Sequence, residues 1–384
     1  MVNALYFSYD GVLDPLGQSQ IVPYVSAISA AGHSLTVVSF EKVERTKEQI
    51  KLMEIKFQKI GVKWVRLEFR SGKLWAVKRL ISGVLLIRKL CDNIQPDFVH
   101  LRGIIPAVIF QLSYITIPSL YDFRGFALGE WTDMGKITQS SLLYRILNKL
   151  DRKAVNSASG LVVLEESAKL LLKKTYDVPN VPLKVIRTCT DTKRYKKRKD
   201  IKNKENNTLR FVFLGGARFP YRPDLALMLI KKLIEYGVPC NIDFINQGDR
   251  FVIDKASSLT GISKEKIRVL DCQHSEIPNI LATYDCGIVM VESSYWRRVC
   301  SPTKLGEYLA SGLPVISLNG IDSIDDLSVR TECVATISSQ ELLGHFQDGR
   351  VQEIISFIRS TGVIQKCQAL AKDEFDLETF DSKN

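Results

Sequence analysis

The stretch Ser301-Pro302-Thr303-Lys304-Leu305-Gly306-Glu307-Tyr308-Leu309-Ala310-Ser311-Gly312-Leu313-Pro314-Val315-Ile316 leaves this chain little choice of fold. It is bracketed by two apolar runs, Cys286 to Val291 and Pro314 to Leu318, whose length and branched residues predict buried strands. The span between them predicts a helix. Ser301 has the chemistry of an N-cap, and Pro302 suits the first helical position, where its missing N–H would lack a partner in any case. Gly312 suits the left-handed residue past the C-terminus.

That helix is a candidate anion site. Its first-turn amides, near Thr303, Lys304 and Leu305, have no partners within the helix, and the aligned peptide dipoles favour negative charge there. Thr303 and Glu307 are four apart and share a face, so a carboxylate stands about one turn, roughly 6 Å, beyond a phosphate bound at that end. Such a carboxylate could accept both hydroxyls of a ribose while Lys304 and the amides hold a diphosphate. Capping and spacing are equally met by a plain helix of an α/β core with a solvated Glu307, which is the simpler reading of those two features alone.

The residue order carries more. Pro302-Thr303-Lys304-Leu305, Glu307-Tyr308-Leu309-Ala310, Gly312 and Pro314-Val315-Ile316 resemble the donor-site motif of family 4 glycosyltransferases, retaining enzymes of the GT-B fold that use nucleotide-sugar donors. The resemblance covers nearly the whole chain and implies an α/β protein of two Rossmann-like, doubly wound domains facing a central cleft. It implies that Glu307 holds the donor ribose and that Ser301, Thr303, Lys304 and Leu305 surround the diphosphate. The chain departs from the pattern at Val299, where many members carry a glutamate that contacts the donor sugar. Sugar recognition then falls to Glu292 or to the loop from Ser293 to Ser301.

At 384 residues the chain suits two domains of ordinary size, and its composition is that of a globular protein. The boundaries expected are 1–188 for an acceptor-side domain, 189–207 for a basic linker, 208–362 for a nucleotide-sugar domain and 363–384 for a helical tail, which in GT-B proteins often crosses back to the first domain. Met1 to Ser8 reads directly as a strand, without the charged start of a signal peptide. The uncharged run from Gly103 to Tyr121 is interrupted by Pro106, Gln111, Ser113, Thr116 and Pro118, so it reads as a core helix and a buried strand rather than a membrane span. Eight dispersed cysteines and four dispersed histidines show neither zinc spacing nor a disulfide framework, and predict reduced thiols in a cytoplasm. No Asp-x-Asp pair occurs, so no metal and no cofactor are expected, and a diphosphate must be neutralised by Arg and Lys.

The net charge of +11 is unevenly placed. Lys193, Arg194, Lys196, Lys197, Arg198, Lys199, Lys202 and Lys204 form the linker block, expected to be exposed. Lys73 to Leu90 mixes Trp75 and aliphatics with cations at helical spacing, and two readings are open: a helix lying on an anionic membrane, or a core helix with a solvated basic face. No stacking aromatics are interleaved with the linker block, so no nucleic-acid partner is expected.

In the first half, the turn from Asp10 to Gln20 follows the strand Ala4 to Ser8, where open α/β sheets hold ligands. Gly17 there permits close backbone approach, and Asp14-Pro15-Leu16-Gly17 with Ser19-Gln20 resembles the first loop of bacterial surface-polysaccharide members of the family. Asp97 to Gly103 and Ser119 to Phe126 are further strand ends with polar tips. The position of the family's histidine near the reacting sugar falls at Arg124, which leaves Asp122 and Arg124 as catalytic candidates and His100, Arg124 and Glu130 as candidates for the acceptor side. Asp122 and Arg124 meet only if the strand ends between them, and an internal ion pair is the competing reading.

The second half opens on a buried strand that runs into Gly215 and Gly216, followed by Arg218 and Arg222. Arginine presents a planar fork suited to phosphate oxygens. The family places an Arg and a Lys after this turn; Arg218 matches the first and Arg222 approximates the second. The resemblance further implies that Gln273 to Pro278, with Ile277, meets the nucleotide base through backbone groups. The expected activity is hexosyl transfer from a nucleotide diphosphate sugar to a glycan or lipid-linked acceptor, with Arg218, Arg222 and Lys304 stabilising the leaving diphosphate. Two alternatives stay open: a sugar-nucleotide epimerase of the same fold, and a non-catalytic basic membrane or nucleic-acid partner.

Overall fold

The structure is a computed structural model describing residues 1–42, 45–69, 72–198, 208–245, 248–347 and 349–378. It divides into two compact units, one from Met1 to Arg187 and the other from Thr188 onward.

The first unit alternates strands and helices. Its strands are β1 (Asn3–Ser8), β2 (Ser34–Glu41), β3 (Val62–Glu68), β4 (Phe98–Arg102), β5 (Ser119–Phe123), β6 (Gly160–Val163) and β7 (Leu183–Val185). Between them run α1 (Val22–Ala30), α2 (Lys47–Lys59), α3 (Lys73–Ile94), α4 (Ile104–Ser113), α5 (Ala127–Asp133), α6 (Leu142–Ser157) and α7 (Glu166–Thr175). The sheet order is β3-β2-β1-β4-β5-β6-β7, and every pair is parallel. Strands covered on both faces cannot alternate polar with apolar, which is why Ala4 to Phe7 and Gly160 to Val163 are buried without a break. The order reverses between β1 and β4. With right-handed crossovers, α1 and α2 cover one face while α3, α4 and α6 cover the other, and α4 packs against both α3 and α6.

The second unit repeats the plan. Strands β8 (Leu209–Leu214), β9 (Cys240–Ile245), β10 (Ile267–Leu270), β11 (Cys286–Val289), β12 (Val315–Leu318) and β13 (Val334–Ile337) pair in parallel in the order β10-β9-β8-β11-β12-β13. Helices α8 (Pro223–Glu235), α9 (Arg250–Thr260), α10 (Ile277–Leu281), α11 (Thr303–Ala310), α12 (Asp322–Arg330), α13 (Ser339–Leu343), α14 (Arg350–Ile358) and α15 (Val363–Glu374) complete it. Its order reverses between β8 and β11.

At that reversal the two strands are paired only at Cys286 with Phe211 and at Gly287 with Val212. Beyond it they separate, and backbone polar groups there need other partners. The Tyr308 hydroxyl supplies them: it accepts from Leu214 N at 2.7 Å and lies 3.2 Å from Val212 O and 3.4 Å from Ile288 O. Its ring lies on Gly287, where an added Cβ would fall 2.4 Å from Tyr308 Cδ2. Helix α11 is thereby fixed over the gap. Its other side receives α15: a Cβ on Gly306 would meet Phe375, and one on Gly312, whose φ is +77°, would meet Ile364.

Several expectations are corrected. Ser301 is not the N-cap; Pro302 holds that place in extended conformation, and Ser301 Oγ lies 3.4 Å from Thr188 N. Gly312 does stand just beyond the C-terminus, after Ser311. The basic block is not uniformly exposed. Tyr195 within it is buried, and Arg198 is buried with its guanidinium donating to the carbonyl oxygens of Asp285 and Ile358. The rest of the block, 199–207, lies outside the described residues. All eight cysteines are free thiols.

Because the Tyr308 hydroxyl is the partner of buried Leu214 N, Tyr308→Phe leaves that donor unpaired. It is expected to lower stability by about 1–3 kcal/mol, read by chemical denaturation, and a variant as stable as the parent would refute this role.

Candidate functional site

In the second unit, β8 ends in the turn at Gly215 and Gly216, and α11 begins beside it. Gly215 adopts φ +94°, a conformation open to glycine, and a Cβ there would lie 3.6 Å from Lys304 Nζ. The Lys304 ammonium sits over the rings of Tyr221 at 4.0 Å and Phe213 at 4.7 Å. Lys304 is only 6% exposed, and its Nζ has no hydrogen-bond partner among the described residues. Burial pushes its pKa down to about 7, against the pull of the Glu307 carboxylate. A buried ammonium whose nearest contacts are ring faces is costly, which makes this corner of the unit a candidate anion site.

Glu307 stands one turn further along α11, also buried, and accepts from the Tyr195 hydroxyl at 3.1 Å. Burial pushes its pKa up to about 7, opposed by the Tyr195 bond and by Lys304. It is therefore not the solvated surface carboxylate of the simpler reading. Leu305 and Ile277 turn their side chains into the same apolar cluster as Tyr195 and Tyr308, and the Leu305 amide, expected to lack a partner, donates to Pro302 O at 3.1 Å.

The two arginines are engaged by acids of their own unit. Arg218 is exposed and pairs with Asp249 at 2.7 Å, the same carboxylate that accepts from Ala217 N at 3.0 Å. Arg222 pairs with Asp224 at 2.7 Å and with Glu292. Glu292, the candidate substitute for the missing sugar-contacting glutamate, is thus tied to Arg222, while Val299 is core. Sequence reading missed Arg297. It is buried, donates from Nη1 to Glu292 O at 3.1 Å, stacks 5.1 Å from the Phe219 ring centroid, and leaves Nε and Nη2 without partners. Its position two residues before Val299, in the loop already suspected of sugar recognition, was the available signal.

In the first unit the candidates also gather where the strand order reverses. Asp122 closes on three groups: His100 Nε2 at 3.2 Å, Arg124 at 3.5 Å and Arg102 at 3.6 Å. The strand does end at Phe123, which lets Asp122 and Arg124 meet. Both arginines also donate to Gln20 Oε1, Arg102 at 2.5 Å and Arg124 at 2.8 Å. Arg102 further lies 3.9 Å from Asp10, which Lys42 pairs at 2.7 Å. Burial alone would raise the Asp122 pKa, but Arg124, His100 and Arg102 hold it well below the usual carboxylate range. Arg102 and Gln20 were not singled out from sequence, although a buried strand ending in arginine was a visible sign. Glu130 lies beside Gly125, whose added Cβ would fall 2.8 Å from its carboxylate. Gly17 has a different reason from the one expected: a Cβ there would fall 1.9 Å from Gly11 O, so the close approach is made by the loop's own backbone. Among the described residues no group of His, Cys, Asp and Glu forms a metal-holding cluster.

No protein-family model matches the sequence, and no curated protein sequence matches it. Solved structures do. The chain is similar to sucrose-phosphate synthase from Thermosynechococcus elongatus, with a TM-score of 0.75 at 10% identity over 100% of this chain and 97% of that one. It is similar to HepE of Anabaena, solved in complex with UDP-glucose, with a TM-score of 0.66 at 14% identity over 100% and 98%. A putative UDP-N-acetylglucosamine 2-epimerase from Listeria monocytogenes gives 0.60 at 12% over 97% and 92%. The fold is the GT-B fold of two Rossmann-like domains.

Two outcomes are expected. A diphosphate beside Lys304 would favour its charged form, so if Lys304 is an anion site, a nucleoside diphosphate should bind there with proton uptake at pH 8 and more weakly as pH rises past about 7. Titration calorimetry in buffers of different ionisation enthalpy reads the uptake, which Lys304→Met should abolish. In the first unit, Asp122→Asn removes the charge that balances buried Arg102 and should cost about 3–5 kcal/mol of stability; a loss within error of zero in denaturant melts would contradict that balance.

Proposed function

We propose that the protein is a retaining, metal-independent glycosyltransferase of family 4 type, moving a hexosyl group from a nucleotide diphosphate sugar to a glycan or lipid-linked saccharide in surface polysaccharide biosynthesis. The observation that carries this reading is the buried, unpartnered Lys304 ammonium beside Gly215, with the Glu307 carboxylate one turn away on the same helix. A diphosphate against the first turn of α11 would neutralise that ammonium, and Glu307 would accept from the ribose hydroxyls. The motif from Pro302 to Ile316 and the likeness to nucleotide-sugar enzymes support the same assignment.

As the bond from sugar to phosphate breaks, positive charge develops at the anomeric carbon and negative charge on the diphosphate. Fixed cations and amides at the leaving group lower that barrier. Lys304 and the dipole of α11 would provide this directly. Arg218 joins by leaving Asp249, and Arg222 by leaving Asp224 and Glu292, for phosphate oxygens, an exchange of charge-assisted bonds. Retention and the polysaccharide setting rest on the family resemblance. Asp122, Arg124, His100 and Glu130 are assigned to the acceptor side, with Arg124 where the family carries histidine.

One departure favours a second reading. With Val299 in place of the sugar-contacting glutamate, the donor sugar could be isomerised without transfer, as in an epimerase of this fold. Incubating the purified protein with UDP-, GDP- and dTDP-sugars separates the two. Slow donor hydrolysis, or nucleotide release that depends on an added saccharide acceptor, supports transfer, whereas an isomerised donor supports the epimerase. Glu307→Gln should weaken donor binding by about 1–3 kcal/mol, and unchanged affinity would remove Glu307 from the ribose.

A further inference from the structure

Helix α3 carries an apolar stripe turned outward. Leu74, Val77, Ile81 and Leu85 follow one another at helical spacing on a single face, and all are exposed, Leu74 by 82% and Leu85 by 60%. Apolar residues at that spacing ordinarily face a core. Here the inward side of the helix is a different one, where Ile87 and Cys91 are buried and Leu80 packs against α4. Helix α6, on the far side of α4 and on the same face of the sheet, repeats the feature: Leu142 is 72% exposed and Ile146 48%. Two helices of one layer thus present apolar side chains outward, more than scattered surface hydrophobics require.

Charge indicates what covers this face. Along α3 the cations Lys73, Lys78, Arg79, Arg88 and Lys89 outnumber the one acid, Asp92, which is exposed two turns beyond Leu85, and Lys78 and Lys89 are exposed close to the stripe. On α6, Lys149 and Lys153 are exposed on the face of Leu142 and Ile146. The one acid of α6, Asp151, is buried and receives the hydroxyls of Tyr121 and Tyr176 at 2.6 and 2.5 Å, so it does not offset those cations. No helix among the described residues is long and apolar enough to cross a membrane. Apolar side chains flanked by lysine, with cations outnumbering acids, match the boundary between anionic headgroups and acyl chains, where lysine stems reach headgroups while Leu and Ile enter the hydrocarbon.

We propose that the face formed by α3 and α6 docks the first unit onto an anionic lipid bilayer, with Leu74, Val77, Ile81, Leu85, Leu142 and Ile146 entering the acyl boundary. This goes beyond the proposed reaction and does not depend on it.

The test uses the full chain and co-sedimentation with vesicles of phosphatidylcholine alone or mixed with phosphatidylglycerol. Binding is expected to the mixed vesicles and to be weaker at high salt. Each cation near an anionic surface contributes about fivefold, so Lys78→Glu with Lys149→Glu should weaken binding by more than tenfold. Val77→Glu with Ile81→Glu should do the same without moving the thermal midpoint, because both positions are exposed. Binding that ignores phosphatidylglycerol, or that survives both double variants, would overturn the proposal. So would a dimer, seen by light scattering, that Val77→Glu with Ile81→Glu dissociates, since that result gives the face to a second copy of the chain.

Discussion

The second unit depends on one hydroxyl. Where β8 and β11 part at the reversal of strand order, Leu214 N and the carbonyls of Val212 and Ile288 converge on the oxygen of Tyr308. A parallel sheet cannot change direction without opening such a gap, and ligands of this fold class bind at it because the gap is where loops and helix ends diverge. In this chain the gap is closed from beneath by a side chain of α11. The same anchor sets the first turn of α11 beside Gly215, which is why Lys304 and the glycine turn meet. Gly287 is the other half of the arrangement, since no larger residue leaves room for the tyrosine ring.

The two units handle buried charge differently. In the first, Arg102, Arg124, His100, Asp122 and Gln20 pair with one another, leaving Arg102 Nε and Asp122 Oδ1 without a hydrogen bond among the described residues, and the Asp122 carboxyl is held ionised by its neighbours. A network of that kind orders loops at the strand ends and resists rearrangement. In the second, Lys304 Nζ and two nitrogens of Arg297 have no hydrogen-bond partner among the described residues, and both groups lie against aromatic rings. Glu307, buried one turn from Lys304, is pushed toward its neutral form. Groups so placed are costly to the fold, and perturbed titratable groups of this kind cluster at functional sites.

Much of this was legible. The helix between two buried strands, Gly312 at its end and the sharing of a face by Thr303 and Glu307 follow from spacing and residue chemistry, which are local. The alternation of strand and helix that makes both units is written in hydrophobic periodicity. What escaped involves partners far apart in the chain. Tyr195 lies inside a run of lysines and arginines, and nothing in that run announces a buried tyrosine that donates to Glu307. Gln20 meets Arg102 and Arg124 across more than eighty residues. Gly17 reads as a ligand-facing glycine, yet the backbone that crowds it is that of Gly11.

By itself, then, the order of residues determined which segments form strands and helices, and where α11 begins and ends to within a residue. Those properties arise from neighbours along the chain, through capping, periodicity and the stereochemistry of proline and glycine. Only the folded structure decided which charges are paired and which are not. It drew Arg218 and Arg222 onto carboxylates, left Lys304 against two rings, and turned the apolar stripe of α3 outward instead of inward. Burial and pairing depend on what the rest of the chain brings to the same place, and no local pattern encodes that.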